Sequence, residues 1–355
     1  MSITRLINKS ILDSKAYKPP LNRKDFIKLD LNESYAILDE RIIQRLKDFD
    51  SFSISSYPEY QNLIPLVAKY ANVPADSVSL TNGSDHAIQL LTELFFKKGD
   101  TVLIPSPMFF VFYHYLKIKE ANIKDILFAD KTDHFEFALD NVLDALDSSS
   151  KGLILCNPNN PLGTKISKDS VLTLLEKTRD LDIPMIVDEA FFEYSDADAT
   201  QFLGEFKNLI ILRTFSKAFG LAGLRLGYII ADPSIINEFN KIRLTWNVNN
   251  FAVYAGMVVL DEIPYFKDKL KEQKAIKDEL KTFLESSGIQ CYKTETNFLI
   301  CKHPKHSEIV AKLKENKILV NDISQYPYSG NLLKNAFRIS IPSREDFETL
   351  KKVLA

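Results

Sequence analysis

The chain has 355 residues, a formal net charge of −2, 45% hydrophobic residues and 26% charged ones, an ordinary globular balance with enough length for two domains. That balance excludes a generally basic nucleic-acid binder, and no window reaches the roughly 18 consecutive apolar residues of a membrane-spanning helix. The polar opening MSITRLINKSILDSKAYKPP does not read as a secretory leader. Cys156, Cys291 and Cys301 form no CxxC pair, which predicts a reducing, cytoplasmic setting without disulfides.

Through the middle of the chain, short apolar runs alternate with helical periodicity. The predicted strands are VSLTNG (78–83), TVLIPS (101–106), GLILCNP (152–158), PMIVDEA (184–190), LIILRTFS (209–216) and LGYIIAD (226–232). Between them SDHAIQLLTELFFKK and KDSVLTLLEKTRDLD carry apolar residues at three-to-four spacing. Continuously apolar strands separated by helices predict an α/β domain over 46–250, its mostly parallel central sheet flanked by helices. After residue 258 the texture changes to KDKLKEQKAIKDELKTFLESSG, a long amphipathic helix ending at Gly288. NFLICKH, SEIVAKLKEN, ILVND, FRISI and SREDFETLKKVL then alternate strand and helix, with Ser343 and Asp346 as an S-x-x-D cap on the last helix. These predict a smaller α+β domain over 251–355, joined by an N-terminal arm over 1–45.

Four strand ends in the large domain carry polar residues where the apolar run stops, and in parallel sheets ligands bind at those carboxyl ends. TNGSDHA (81–87) reads either as a turn capped by Ser84 or Asp85, or as an anion site at a helix start. CNPNNPLGT (156–164) fixes a rigid loop presenting Asn157, Asn159 and Asn160. IVDEAFFEY (186–194) leaves Asp188 and Glu189 at a poorly solvated sheet edge, which suits a cationic partner, a structural ion pair or magnesium. RTFSKAFGLAGLRLGY (213–228) gathers Thr214, Ser216 and Arg225, all able to bind an anion, around Lys217, whose amine can attack a carbonyl. Neither G-x-x-x-x-G-K-[ST] nor G-x-G-x-x-G spacing occurs, which disfavours nucleotide triphosphates and dinucleotides. A phosphorylated aldehyde cofactor fits: the lysine forms a Schiff base and the acid pairs with a pyridinium nitrogen.

The order N-P-N-N-P-L-G, D-E-A and T-F-S-K-A-F-G-L-A-G-L-R-L-G-Y resembles fold-type-I pyridoxal-phosphate enzymes, and more narrowly the histidinol-phosphate aminotransferase family. The likeness runs from YPEY (57–60) to the FRISI strand. It implies that Lys217 holds pyridoxal 5′-phosphate as a Schiff base and later shuttles the α-proton. Asp188 would pair with the ring nitrogen, and Asn160 would bond the ring hydroxyl. Ser84, Asp85, Thr214, Ser216 and Arg225 would cradle the phosphate, and Phe109 would stack on the ring. The resemblance also implies a homodimer in which Tyr57 reaches the neighbouring subunit's cofactor. Arg338 would grip the substrate's acidic group, with Tyr17 and Asn32 as further substrate contacts.

Three positions depart from that family. Phe191 stands where D-E-A-Y is usual, Asn321 where an arginine is usual, and LNESYAI keeps only Asn32 and Glu33 of the N-E-N-P run. D-E-A-F and W-N-V-N (246–249) also resemble the threonine-phosphate decarboxylase branch. The expected activity is amino transfer from a small phosphorylated amine to 2-oxoglutarate. The alternatives are decarboxylation of an O-phospho-amino acid and a catalytically silent pyridoxal-phosphate-binding regulator. Cys301, His303 and His306 form C-x-H-x-x-H without a second cluster, which reads as a surface loop rather than a metal site.

Overall fold

A computed structural model describes residues 3–16, 22–34 and 37–354. Its strands, in chain order, are β1 (Ile27–Leu29), β2 (Val78–Thr81), β3 (Thr101–Ser106), β4 (Asn122–Leu127), β5 (Ala129–Asp130), β6 (Phe135–Glu136) and β7 (Ser150–Cys156). They continue as β8 (Met185–Asp188), β9 (Leu209–Thr214), β10 (Gly227–Ala231), β11 (Gln290–Tyr292), β12 (Phe298–Lys302), β13 (Ile318–Asp322) and β14 (Ala336–Ser340).

Seven of them form one sheet in the order β2-β10-β9-β8-β7-β3-β4. β7, β8 and β9 lie at its centre, and their runs GLILC, MIV and LIIL suit strands buried on both faces. Pairing is parallel from β4 through β9, whereas β10 runs antiparallel to both β9 and β2. The reversal has a consequence for the site. Residues that precede β10 arrive at the same sheet edge as residues that follow its neighbours. The edge strand β4, NIKDIL, contains no buried residue, so it lacked the apolar run by which the other strands were predicted.

The two faces of this sheet bury separate cores. Ile154, Ile186, Ile210, Leu212 and Ile229 pack with Leu91, Phe112 and Phe239 of the covering helices Gly83–Phe95, Phe110–Ile118 and Pro233–Ile242. On the other face Leu155, Val187 and Ile211 meet Val67, Leu174 and the helix Asn250–Asp261, which contributes Ala255, Val258 and Val259.

The second sheet has the order β1-β13-β14-β12-β11, with β1 parallel to β13. The helix Ile263–Ser286 serves both bodies: Phe266 packs in the large sheet's core, whereas Ile276, Leu280 and Leu284 pack under the second sheet. It ends where Gly288 turns with φ +78°. The last helix, Arg344–Leu354, begins with a reciprocal cap in which Asp346 N donates to Ser343 Oγ at 3.1 Å and Ser343 Oγ to Asp346 Oδ2 at 2.7 Å. A further cluster joins the two bodies, with Leu162 and Phe191 against Phe298, Ile300 and Leu333.

Candidate active site

Side chains alternate across a sheet, so consecutive residues at a strand end leave on opposite faces. In β8, Asp188 follows Ile186 onto one face, and Glu189 follows Val187 onto the other. Thr214 and Arg213 divide in the same way at the end of β9. Glu189 and Arg213 meet in the buried layer: Arg213 Nε donates to Glu189 Oε2 at 2.9 Å, and Nη2 lies 2.7 Å from Asp198 Oδ1. The Arg213 guanidinium also lies 3.6 Å from the centroid of the Phe192 ring. Glu189 is thus spent on a structural pair, and of these two neighbours Asp188 is the one that faces the cavity. Among the described residues, no group of three His, Cys, Asp or Glu side chains could hold a metal.

That cavity, of about 120 Å³, is lined on one side by Ser84, Asp85, Thr214, Ser216 and Arg225. The helix Gly83–Phe95 starts one residue earlier than expected, with Asn82 as its N-cap and no side chain accepting from its first turn. Neither Ser84 nor Asp85 is therefore the cap. Gly227 of β10 lets the helix start approach closely, since a Cβ there would sit 2.9 Å from Gly83 C and 3.0 Å from Ser84 N. Arg225 adopts left-handed φ +54°, an unusual conformation for a side chain of this size. From there Nη1 donates to Ala222 O at 3.1 Å and Ser216 Oγ at 3.4 Å, and Nη2 lies 3.3 Å from Asp85 Oδ2. Thr214 Oγ1 accepts from Ser216 N at 3.1 Å and donates to Ser216 Oγ at 3.0 Å. Hydroxyls, a helix start and a guanidinium converge on one spot, a donor set suited to a phosphate.

Asp188 and Lys217 supply the cavity's reactive groups. Asp188 is 2% exposed and accepts a bond from Ala190 N at 3.0 Å. Burial pushes its carboxyl up from 3.8 to about 7. Loss of solvent, and then the nearby Arg338 charge, lower the Lys217 amine from 10.5 to about 8. Lys217 Nζ donates to the Leu31 carbonyl at 3.1 Å and lies 5.6 Å from the centroid of the Phe191 ring. Phe191 is fully buried, edge-on to Phe298, and offers the cavity no hydroxyl.

The N-P-N-N-P loop divides its amides between structure and site. Asn157 Nδ2 donates to Ile166 O, and Asn157 Oδ1 accepts from Ile166 N. Asn159 Nδ2 donates to Pro107 O, and its Oδ1 accepts from Leu162 N. Asn160 is the amide that lines the cavity, and its Oδ1 accepts from Arg338 Nη1 at 2.6 Å. Arg338, on β14, also donates to Asp30 O at 3.1 Å. Across the strand pair stands Asn321, whose Oδ1, with the amide turned to satisfy both its groups, accepts from Arg338 Nη2 at 3.1 Å. Phe109 completes the wall just before the helix Phe110–Ile118.

Two expected site residues do not line this cavity. Tyr57 is 71% exposed, outside the cavity, and stacks on Trp246 at 4.1 Å. Asn32 is buried and its side chain faces Ser340: Ser340 Oγ donates to Asn32 Oδ1 at 3.2 Å. Tyr17 falls outside the described residues. The contact that residue-type reasoning missed is the Leu31 carbonyl on Lys217, since a backbone acceptor carries no signal in residue identity. Cys301 points into the small-domain core 3.8 Å from Cys291, away from any pairing with His303 and His306.

The seven-stranded sheet with its one reversed strand, and a second smaller sheet beside it, make the fold that of fold-type-I pyridoxal-phosphate enzymes. The chain resembles the histidinol-phosphate aminotransferase of Sinorhizobium meliloti in complex with pyridoxal-5′-phosphate, with a TM-score of 0.87, 20% identity and coverage of 98% of this chain and 97% of that one. It also resembles the L-threonine-O-3-phosphate decarboxylase of Porphyromonas gingivalis, with a TM-score of 0.78, 22% identity and coverage of 92% and 98%. In sequence, it is 32% identical to histidinol-phosphate aminotransferase 1 of Carboxydothermus hydrogenoformans over 100% of this chain and 99% of that protein. It is 31% identical to the histidinol-phosphate aminotransferase of Ruminiclostridium cellulolyticum over 90% and 89%. A family model, Aminotransferase class I and II, matches residues 24–354. The chain belongs to that family and, within it, to the histidinol-phosphate aminotransferases' branch. The protein is an aminotransferase.

Proposed function

We propose that the protein uses pyridoxal 5′-phosphate to transfer the amino group of a small phosphorylated amine, of the histidinol-phosphate kind, to 2-oxoglutarate. The observation that carries this reading is the pairing of a buried acid, Asp188, with a solvent-poor amine, Lys217, beside a phosphate-type donor set. The residues fit the cofactor. Asp188 holds a proton near neutrality for want of a cation, which a pyridinium N–H would supply. Ser84, Thr214, Ser216 and Arg225 would hold the phosphate, with Asp85 beside them, Asn160 would bond the ring hydroxyl and Phe109 would cover the ring.

Bound there, the cofactor supplies an aldehyde for the amino nitrogen and a protonated ring that draws off electron density from the α-carbon. Asp188 keeps that ring nitrogen protonated. Lys217 Nζ, once free, takes the proton from the α-carbon and returns it one position away, and its lowered pKa suits a base working near neutral pH. Arg338, aligned by Asn160 and Asn321, binds the substrate's acidic group.

The working unit is a homodimer. Phe52, Ile54, Tyr57, Leu244 and Trp246 are each more than half exposed, and a second copy would cover them and receive Tyr57 at its own phosphate site. In this reading the chain divides into a large domain over 46–250, a small one over 251–355 and an N-terminal arm over 1–45 that joins the small domain, a division supported by the separate cores that the helix Ile263–Ser286 bridges. No helix among the described residues is long and apolar enough to cross a membrane. The described cysteines are free, which supports a cytoplasmic setting.

The test is a spectrum of the purified protein followed by substrate. A Schiff-base absorbance band, lost in Lys217→Ala, is expected, with conversion to the pyridoxamine form on adding histidinol phosphate. Carbon dioxide release from O-phosphothreonine or O-phosphoserine, with the band regenerated, would make the enzyme a decarboxylase. No band after adding pyridoxal phosphate would overturn the cofactor reading.

A further inference from the structure

The segment Asp30-Leu31-Asn32 runs between the small sheet and the lysine loop. Each of its three residues offers a carbonyl to a different partner: Asp30 O to Arg338, Leu31 O to Lys217, and Asn32 O to Asn297 Nδ2 at 3.0 Å. Adjacent carbonyls of an extended strand point to alternate sides. The turn that sends these three to separate partners comes at Asn32, which adopts left-handed φ +56°. That conformation is costly for most residues and least so for Gly and Asn.

Both ends of Asn32 are anchored to the same side chain. Its N–H donates to Ser340 Oγ at 3.0 Å, and its Oδ1 accepts from that hydroxyl at 3.2 Å. Asn32, Asn297 and Ser340 are all buried, so the turn is held without solvent competition. The Asn32 side chain, thus committed, does not line the cavity. What the turn delivers to the cavity is the preceding carbonyl.

We propose that Asn32 is a positioning residue, which through its left-handed turn aims the Leu31 carbonyl at the Lys217 amine. The inference rests on the reading of Lys217 as the cofactor-binding lysine. Whenever the amine is free, Leu31 O holds one of its N–H bonds and so confines its lone pair to the directions that remain. The chain thereby restricts where its base can sit instead of leaving a four-carbon stem to search.

Asn32→Gly and Asn32→Ala separate this role from a substrate contact. Glycine keeps the left-handed turn and loses the side chain, whereas alanine loses the side chain and disfavours the turn. With the full-length enzyme loaded with cofactor, kcat of Asn32→Gly should stay within about threefold of the wild type. Asn32→Ala should lose roughly ten- to a hundredfold in kcat with KM little changed. A second readout uses cofactor-stripped protein: the rate at which it captures pyridoxal phosphate as a Schiff base should fall in Asn32→Ala alone. Equal losses in both variants, with KM raised, would overturn the proposal in favour of a substrate-binding side chain. No loss in either would overturn it too. A normal wild-type Schiff-base band accompanying these results confines the failure to Asn32, whereas no band in the wild type sinks the cofactor reading itself.

Discussion

Asp188→Asn is expected to stabilise the cofactor-free protein above neutral pH while disabling the loaded enzyme. The Asp188 carboxyl is buried and raised from 3.8 to about 7. Because the folded value lies above the unfolded one, Asp188 costs no stability below about pH 4 and costs progressively more as pH climbs towards the folded value. One pKa unit is worth about 1.4 kcal/mol, so the penalty is under about 2 kcal/mol at pH 5 and roughly 4 kcal/mol at pH 8. Asparagine carries no charge to bury, and its Oδ1 can still accept the Ala190 N–H. Urea unfolding of the stripped proteins at the two pH values should show the variant's advantage growing by about 2–3 kcal/mol from pH 5 to pH 8. Bound cofactor should erase that growth, since its ring N–H gives the wild-type carboxylate a partner. In the loaded enzyme kcat should fall by at least about a hundredfold, because Asn does not hold the ring proton by charge. An advantage of equal size at both pH values would refute the reasoning, since it would mean that Asp188 does not titrate differently on folding.

Arg213→Met leaves Glu189 buried without its cation, and unfolding at pH 8 should show a loss of about 3–5 kcal/mol. Because Glu189 is itself raised to about 7, that loss should shrink as pH falls and the orphaned acid protonates. Gly227→Ala places a Cβ against Gly83 and Ser84 at the helix start, so pyridoxal phosphate titration should show affinity lower by about tenfold or more, with unphosphorylated pyridoxal much less affected. Arg338→Gln removes the charged partner of Asn160 and Asn321. KM for the acidic amino donor should rise about ten- to a hundredfold, with the Schiff-base band still formed.

Much of the site was legible because the apolar runs of β8 and β9 stop abruptly, at Asp188 and at Arg213-Thr214. A chain has little reason to end a doubly buried strand on an acid unless something at the sheet edge uses it. Strand parity would also have separated Asp188 from Glu189, since residues that differ by one leave on opposite faces. Other features left no such trace. The apolar run of β10 reads the same in either direction, so nothing in GYIIA announces that the strand is reversed. β4 lies at an edge, where half-exposed residues blur the periodicity by which strands are found. The Leu31 carbonyl is beyond reach of residue identity, because every residue has one. Only the left-handed turn at Asn32 says where it points.

The division at the ends of β8 and β9 also explains how a buried acid can remain available for a cofactor. An arginine on the cavity face would have paired with Asp188 and pulled its proton off, leaving nothing for a ring nitrogen to supply. By placing Arg213 one residue before Thr214, the chain sends that cation to the opposite face. There it pairs with Glu189 and Asp198, and Asp198 is lowered by the Arg213 charge and its own bonds to Thr200 despite the cost of burial. The cations left on the cavity side are held by other partners: Arg225 by Ala222 O, Ser216 and Asp85, and Arg338 by Asn160 and Asp30 O. Asp188 therefore waits with its pKa raised by burial, an effect that the Ala190 N–H and the Lys217 charge only partly oppose, and the free energy stored in that burial is released when a protonated ring arrives. An Arg213→Met protein would test this separation directly. It should be less stable, yet its stripped form should retain the same growth in the Asp188→Asn advantage between pH 5 and pH 8. Loss of that growth would mean that the two faces of the sheet are electrostatically one site.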